Sequence, residues 1–175
     1  MIRGAKYALL PGDPGRVEGL AKALDRNALF IASHRDYTTW LAQVENAPVL
    51  VMSTGMGGPC VTFAVEELAR LGVETFIRVG TTGSIQEDLH LGDVVINTAS
   101  VRMDGASRAY APIEFPAVAD PDTVLALREA AEESGVPFKT GISISTDSFW
   151  PGQERYDSFG GYVLKRLQGS LEDFR

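Results

Sequence analysis

The sequence predicts an α/β protein with a mixed, mostly parallel central sheet flanked by helices. Three observations carry that prediction. Short apolar runs bounded by Gly, Pro and Asp recur along the chain. Stretches between them repeat apolar residues at helical spacing. Glycine loops bearing arginine follow several of the apolar runs, where ligands gather in folds of this class.

Tyr7-Ala8-Leu9-Leu10 reads as the first strand. Asp13-Pro14 then supplies a helix N-cap with proline at the first helical position. Val17, Leu20, Ala21 and Leu24 form one helical face. Residues 29–32 and 38–44 read as strands joined by Ser33-His34-Arg35-Asp36, and 49–52 as the next strand after a turn at 45–47. Thr54-Gly55-Met56-Gly57-Gly58 reads as a flexible loop; it lacks the G-x-G-x-x-G spacing of a dinucleotide fingerprint, and no Walker lysine follows. Pro59 opens a second helix with Val61, Ala64, Val65 and Leu68 on one face and Gly72 as its stop.

Residues 75–79 read as a strand running into Gly80-Thr81-Thr82-Gly83, and 93–97 as another. Residues 101–121 read as irregular, long enough for a loop to imply a functional role. Asp122 is the expected cap of a third helix, with Val124, Leu127 and Ala131 inward and Gly135 at its end. Residues 140–145 form the last expected strand. Ser170-Leu171-Glu172-Asp173 is close to a capping box, so a helix is expected to begin there. The expected organisation is a single domain over residues 1–175, incomplete at its C-terminus.

Composition narrows the partners. The chain has 175 residues, 16 basic and 23 acidic, for a net charge of −7. Such a field opposes nucleic acid and anionic membranes, so neither is an expected partner. Cys60 is the only cysteine, so no intrachain disulfide can form. No apolar run reaches the ~18–20 residues of a membrane span, and the first residues carry no secretion signal. A cytoplasmic protein is expected.

In an acidic chain, an anion must be held by local arginines and backbone N–H groups. Four motifs pair glycine or a hairpin tip with arginine: Pro11–Arg16, Ser33–Asp36, Arg78–Gly83 and Pro151–Arg155. Glycine allows close backbone approach, and guanidinium grips an oxyanion with a planar fork of donors. Arg78 sits in an apolar strand, where an unpaired charge is costly, so it calls for an anionic partner. Arg16 taken alone reads as a solvated helix residue, but the Gly12-Asp13-Pro14 turn before it favours an anion; Arg35 reads as a charged hairpin tip or as a ligand group. Gln153 with Arg155 offers an amide and a guanidinium to a planar polar ligand. Phe149 and Trp150 read as core or as a pocket wall, and His90 as a surface turn residue.

These motifs, with Ser53–Pro59, Ser100–Ser107 and Glu114–Asp120, occur in one order and spacing over nearly the whole chain. Together they resemble the hexameric nucleoside phosphorylases, in the branch that acts on uridine. The resemblance implies a three-layer α/β/α fold. It implies phosphorolysis of uridine to uracil and ribose 1-phosphate, with inorganic phosphate as co-substrate, no other cofactor and no metal. Gly12, Arg16, Arg78 and Thr81 would hold phosphate, with Arg35 reaching in from a neighbouring subunit. Thr82, Gly83, Phe149, Gln153 and Arg155 would form the base site. Arg78, Asp13 and Arg155 would carry the chemistry, Asp13 as a supporting residue beside the phosphate. A homo-oligomer built from dimers, a hexamer by analogy, is implied.

The pattern departs from that family in three places. The family continues for about a third of its length beyond Arg175, through a segment that contacts the ribose. A histidine before the first strand has no counterpart. The positions of a monovalent-cation site fall on Asp36 and Cys60, and a thiol is a poor ligand for a hard cation. Three other readings stay open: a purine phosphorylase, a hydrolytic nucleosidase of the same fold, and a non-catalytic fragment that binds phosphate or uracil.

Overall fold

The computed structural model describes Ile2, residues 4–157 and residues 159–175. The chain divides into two compact units, Met1–Thr82 and Gly83–Arg175.

The first unit contains β1 (Tyr7–Pro11), α1 (Val17–Leu24), β2 (Leu29–His34), β3 (Tyr37–Val44), β4 (Ala47–Met52), α2 (Gly58–Arg70) and β5 (Thr75–Val79). Its five strands lie in the order β2-β3-β4-β1-β5. β2, β3 and β4 form an antiparallel meander, whereas β1 pairs in parallel with both β4 and β5. The buried side chains form two clusters. One centres on Ala8, Leu10, Leu50, Ala64 and Leu68. The other centres on Val17, Ala21, Ala42 and Val51. Leu50 and Val51 are adjacent and fully buried, so β4 is covered on both faces.

Local chemistry sets the helix ends. The Asp13 side chain accepts from the Gly15 N–H, so the expected cap is present, but it opens a 3₁₀ turn (Pro14–Arg16) that precedes α1. α2 ends at Gly72, whose φ of 94° suits glycine and is unfavourable for other residues. There the Val73 N–H donates to the Leu68 carbonyl at 3.0 Å, the long bond of a Schellman motif, and both side chains join the core.

The second unit contains β6 (Val94–Met103), β7 (Ala117–Val118), α3 (Pro121–Glu133) and β8 (Phe138–Thr146). Its sheet has the order β7-β6-β8, with β6 antiparallel to β7 and parallel to β8. The expected mixed pairing, parallel strands and flanking helices are present. The strands divide between two sheets, however, one in each unit. Val124, Leu127 and Ala131 are the half-buried stripe of α3, as their spacing predicts.

Three local expectations are corrected. The cap of α3 is Asp120, not Asp122: its carboxylate accepts from the N–H and the hydroxyl of Thr123, and Pro121 takes the first helical position. Residues 101–103 belong to β6, whose pairing with β8 runs through Met103↔Thr146. At Ser170 no capping box forms. Its hydroxyl donates instead to Glu154, and only a 3₁₀ turn (Glu172–Phe174) follows. Among the described residues, no helix is long and apolar enough to cross a membrane.

Candidate functional site

Two clusters of predicted site residues take shape, one in each unit.

In the first unit, β1, β4 and β5 run in parallel and therefore end at one edge of the sheet. The pairing continues past the strands: Thr54 N–H donates to the Pro11 carbonyl and Gly55 N–H to the Gly12 carbonyl, each at 2.9 Å. Gly12 thus follows β1, Gly55 follows β4 and Gly80 follows β5.

Arg78 pairs with Leu10 across β5 and β1. Its Nη1 donates to the Leu10 carbonyl at 3.0 Å and to the Val79 carbonyl at 2.6 Å. Those two bonds turn the guanidinium over the Gly12 backbone. A Cβ at Gly12 would lie 3.0 Å from Arg78 Nη2 and 3.3 Å from the Gly55 carbonyl oxygen, closer than ordinary contact, so a side chain there would make the guanidinium give by a few tenths of an ångström. Arg78 is exposed at its place in β5, not enclosed as its apolar neighbours imply. Enough of the head group is still shielded that burial, aided by the Arg16 charge, lowers its pKa from the ordinary arginine value. A guanidinium remains charged throughout. Among the described residues no carboxylate lies within 4.0 Å of it. Arg16 has one acidic neighbour, Asp13, at 3.9 Å. A guanidinium whose charge is disfavoured by burial and by the Arg16 charge, beside backbone held open by glycine, is suited to an anion.

Thr81 and Thr82 are exposed on the segment that leaves β5. Arg35 occupies the exposed tip of the β2–β3 hairpin with φ 53°. The hairpin is closed by buried Ser53, which donates to the Asp36 carbonyl and accepts from the Thr38 N–H. Tyr37 reaches the Cys60 carbonyl at 3.2 Å, and burial, with Cys60 and Asp36, raises its pKa.

In the second unit, Gln153 and Arg155 face one another. Arg155 Nε and Nη2 both donate to Gln153 Oε1, at 3.1 and 3.0 Å. The glutamine carbonyl is therefore occupied by its neighbour, and its amide N–H₂ is the group left to address a ligand. The Arg155 guanidinium lies 4.3 Å from the centre of the Phe149 ring, within cation–π range. Phe149 and Trp150 are not core; Phe149 is 56% exposed and meets Trp150 edge to face. Gly83 faces the same arginine: a Cβ there would come 3.9 Å from Nη2. Phe149, Gln153, Arg155 and Gly83 are thus assembled in one place within this unit.

Two structural arginine and carboxylate networks escaped the sequence reading. Arg102 Nε donates to Ser107 Oγ, while its Nη atoms donate to the carbonyls of Ser107, Ala111, Pro112 and Phe115. This single side chain organises the loop after β6. Asp104 is buried there. Desolvation pushes its pKa up, but the N–H and hydroxyl of Ser107 outweigh that and hold it below the ordinary value. The sequence signal available was Arg102 standing just before Asp104-Gly105. Its partners are carbonyls, which leave no trace in residue identity.

The profile of the Phosphorylase superfamily matches residues 6–173. The chain is 51% identical to the uridine phosphorylase of Escherichia coli (strain K12) over 174 residues, 99% of this chain and 68% of that protein. It is 47% identical to the uridine phosphorylase of Thermococcus kodakarensis over 171 residues, 98% of this chain and 61% of that protein. It is 40% identical over 151 residues to the guanosine phosphorylase of Halorubrum lacusprofundi, 86% of this chain and 62% of that protein. With edge loops that gather arginine over glycine and a match from Lys6 to Asp173, the chain belongs to the phosphorylase superfamily.

Proposed function

We propose that this protein catalyses the phosphorolysis of uridine to uracil and ribose 1-phosphate. The observation that carries the reading is the Gln153–Arg155 pair, with the Arg155 guanidinium over the Phe149 ring. It presents amide and guanidinium donors beside an aromatic face, which suits the oxygens and ring of a pyrimidine. Relatives named uridine phosphorylase, at 47% and 51% identity over nearly the whole chain, support it.

In this reading Gly12, Arg16, Arg78 and Thr81 hold phosphate, with Asp13 fixing the turn that carries Arg16. A phosphate oxygen forms the new bond to the anomeric carbon. The glycosidic C–N bond breaks, and its electron pair leaves with uracil, which then takes up a proton. Holding the phosphate in place supplies proximity. Donors from Arg155 and Gln153 stabilise the charge that develops on the base. Inorganic phosphate is the co-substrate and no other cofactor takes part. Thr82 and Gly83 line the base site. Arg35 serves a neighbouring subunit's phosphate, which requires a homo-oligomer, and the enzyme works in the cytoplasm in nucleoside salvage.

The test is loss of uridine by ultraviolet absorbance, with and without phosphate. Phosphate-dependent cleavage is expected. Arg78→Ala should raise the KM for phosphate more than that for uridine, and Gln153→Ala should do the reverse. Cleavage without phosphate would mean a nucleosidase, and preference for guanosine a purine enzyme. Light scattering showing an active monomer would remove the role of Arg35.

A further inference from the structure

Between Gln153 and Arg155 stands a residue for which base recognition has no use. Glu154 adopts φ 50°, ψ 38°, the left-handed conformation that side-chain-bearing residues avoid. Such strain persists where the surroundings over-determine it. Here the surroundings are gathered by the residue's own carboxylate. It accepts from the N–H groups of Gly169 and Leu171, both at 2.7 Å. It also accepts from the Ser170 hydroxyl at 3.0 Å and the Tyr156 hydroxyl at 3.1 Å. Four donors converge on one side chain, and all but Tyr156 come from a segment 15 to 17 positions away.

The turn that Glu154 makes is what presents its neighbours. Arg155 N–H closes back on the Trp150 carbonyl at 2.9 Å, and Arg155 then reaches Gln153 Oε1 with two donors. Relaxing residue 154 to a right-handed or extended conformation redirects the chain after it and opens that closure. Burial pulls the Glu154 carboxyl upward in pKa, but its donors outweigh burial and keep it below the usual range, so the grip is that of a charged acceptor.

We infer that Glu154 is a positioning residue for the Gln153–Arg155 pair: its carboxylate grips the 169–171 turn and so holds residue 154 in the left-handed conformation that brings the flanking side chains together. The inference rests on the reading that this pair recognises the base.

The experiment uses the whole chain and three variants. Calorimetric titration reads the Kd for uridine and for inorganic phosphate, and amide hydrogen exchange reads Gly169 and Leu171. Glu154→Ala should expose both amides and weaken uridine binding about tenfold with phosphate binding unchanged. Glu154→Gly should expose the same amides yet recover at least threefold of the lost uridine affinity, because glycine accepts the left-handed conformation without strain (about threefold, for a conformational cost of this kind). A mere tether of the distant turn predicts no such recovery. The inference is overturned if Glu154→Ala exposes the amides and leaves uridine affinity intact, if both ligands weaken alike, or if the glycine variant binds no better than the alanine variant. Gln153→Ala is the separate control. If it leaves uridine affinity unchanged, or the parent chain binds no uridine, the base reading itself fails, and the positioning role with it; amide exchange then still reports whether the carboxylate holds the turn.

Discussion

Gly152 is the tightest position beside the proposed base site. It is buried, and a Cβ built on it would fall less than 3.0 Å from Thr146 Oγ1, 3.1 Å from Ser148 Cβ and 3.4 Å from Thr146 Cγ2. Ordinary contact begins near 3.4 Å. Gly152→Ala must therefore displace the Thr146 side chain or the backbone that carries Gln153. Overpacking of this kind costs about 1–3 kcal/mol. Taking ~2 kcal/mol for a 175-residue chain, Tm should fall by about 4–8 °C. Two of the three closest atoms belong to Thr146, so Thr146→Ala in the same chain should return more than half of the loss. The assay is thermal unfolding of both single variants and the double variant, analysed as a cycle. Uridine affinity should follow stability, since residue 153 shifts with residue 152. An unchanged Tm in Gly152→Ala, or additive losses in the double variant, would refute the reasoning.

Further outcomes are expected elsewhere. Gly12→Ala should push the Arg78 guanidinium aside and weaken phosphate binding about tenfold, read by titration calorimetry, with uridine binding unaffected. Arg102→Lys keeps the charge but loses the planar fork, so stability should fall by about 2 kcal/mol and proteolysis should find the 104–116 loop first. Asp104 has a depressed folded-state pKa, so the stability it contributes is present above the unfolded value of 3.8 and is lost as pH falls through the folded value. Urea titrations from pH 6 down to pH 2 should show Asp104→Asn closing its gap with the parent chain only at the acid end; a gap constant with pH would refute the assignment.

Much of this architecture was legible because it is written in residue type. Strands such as 75–79 and helix faces such as Val17 and Ala21 follow from apolar spacing, and Gly72 marks a helix end because few other residues tolerate its backbone angles. The failures have physical causes. Asp120 and Asp122 are both plausible caps; Pro121 settles the matter, since it takes the first helical position and so makes its predecessor the cap. The extension of β6 to Met103 depends on a partner strand 43 positions away. The apolar neighbours of Arg78 imply enclosure, but it lies near the end of β5, where exposure returns. Of the candidate sites, Gln153 with Arg155 was legible as a pair, whereas the direction of their hydrogen bonds and the turn at Glu154 were not. Both depend on a backbone angle and on Gly169 and Leu171, which residue spacing does not connect to them.

The way Arg102 grips its loop separates shape from chemistry. Four of its five bonds go to main-chain carbonyls, which every residue possesses. The path of the backbone from Ser107 to Phe115 is consequently indifferent to most of the side chains it carries. Tyr110, Ile113 and Phe115 project from it into solvent. They can be exchanged while the scaffold beneath them stays put, so this loop can acquire a new surface by substitution at those positions, provided residue 102 remains arginine.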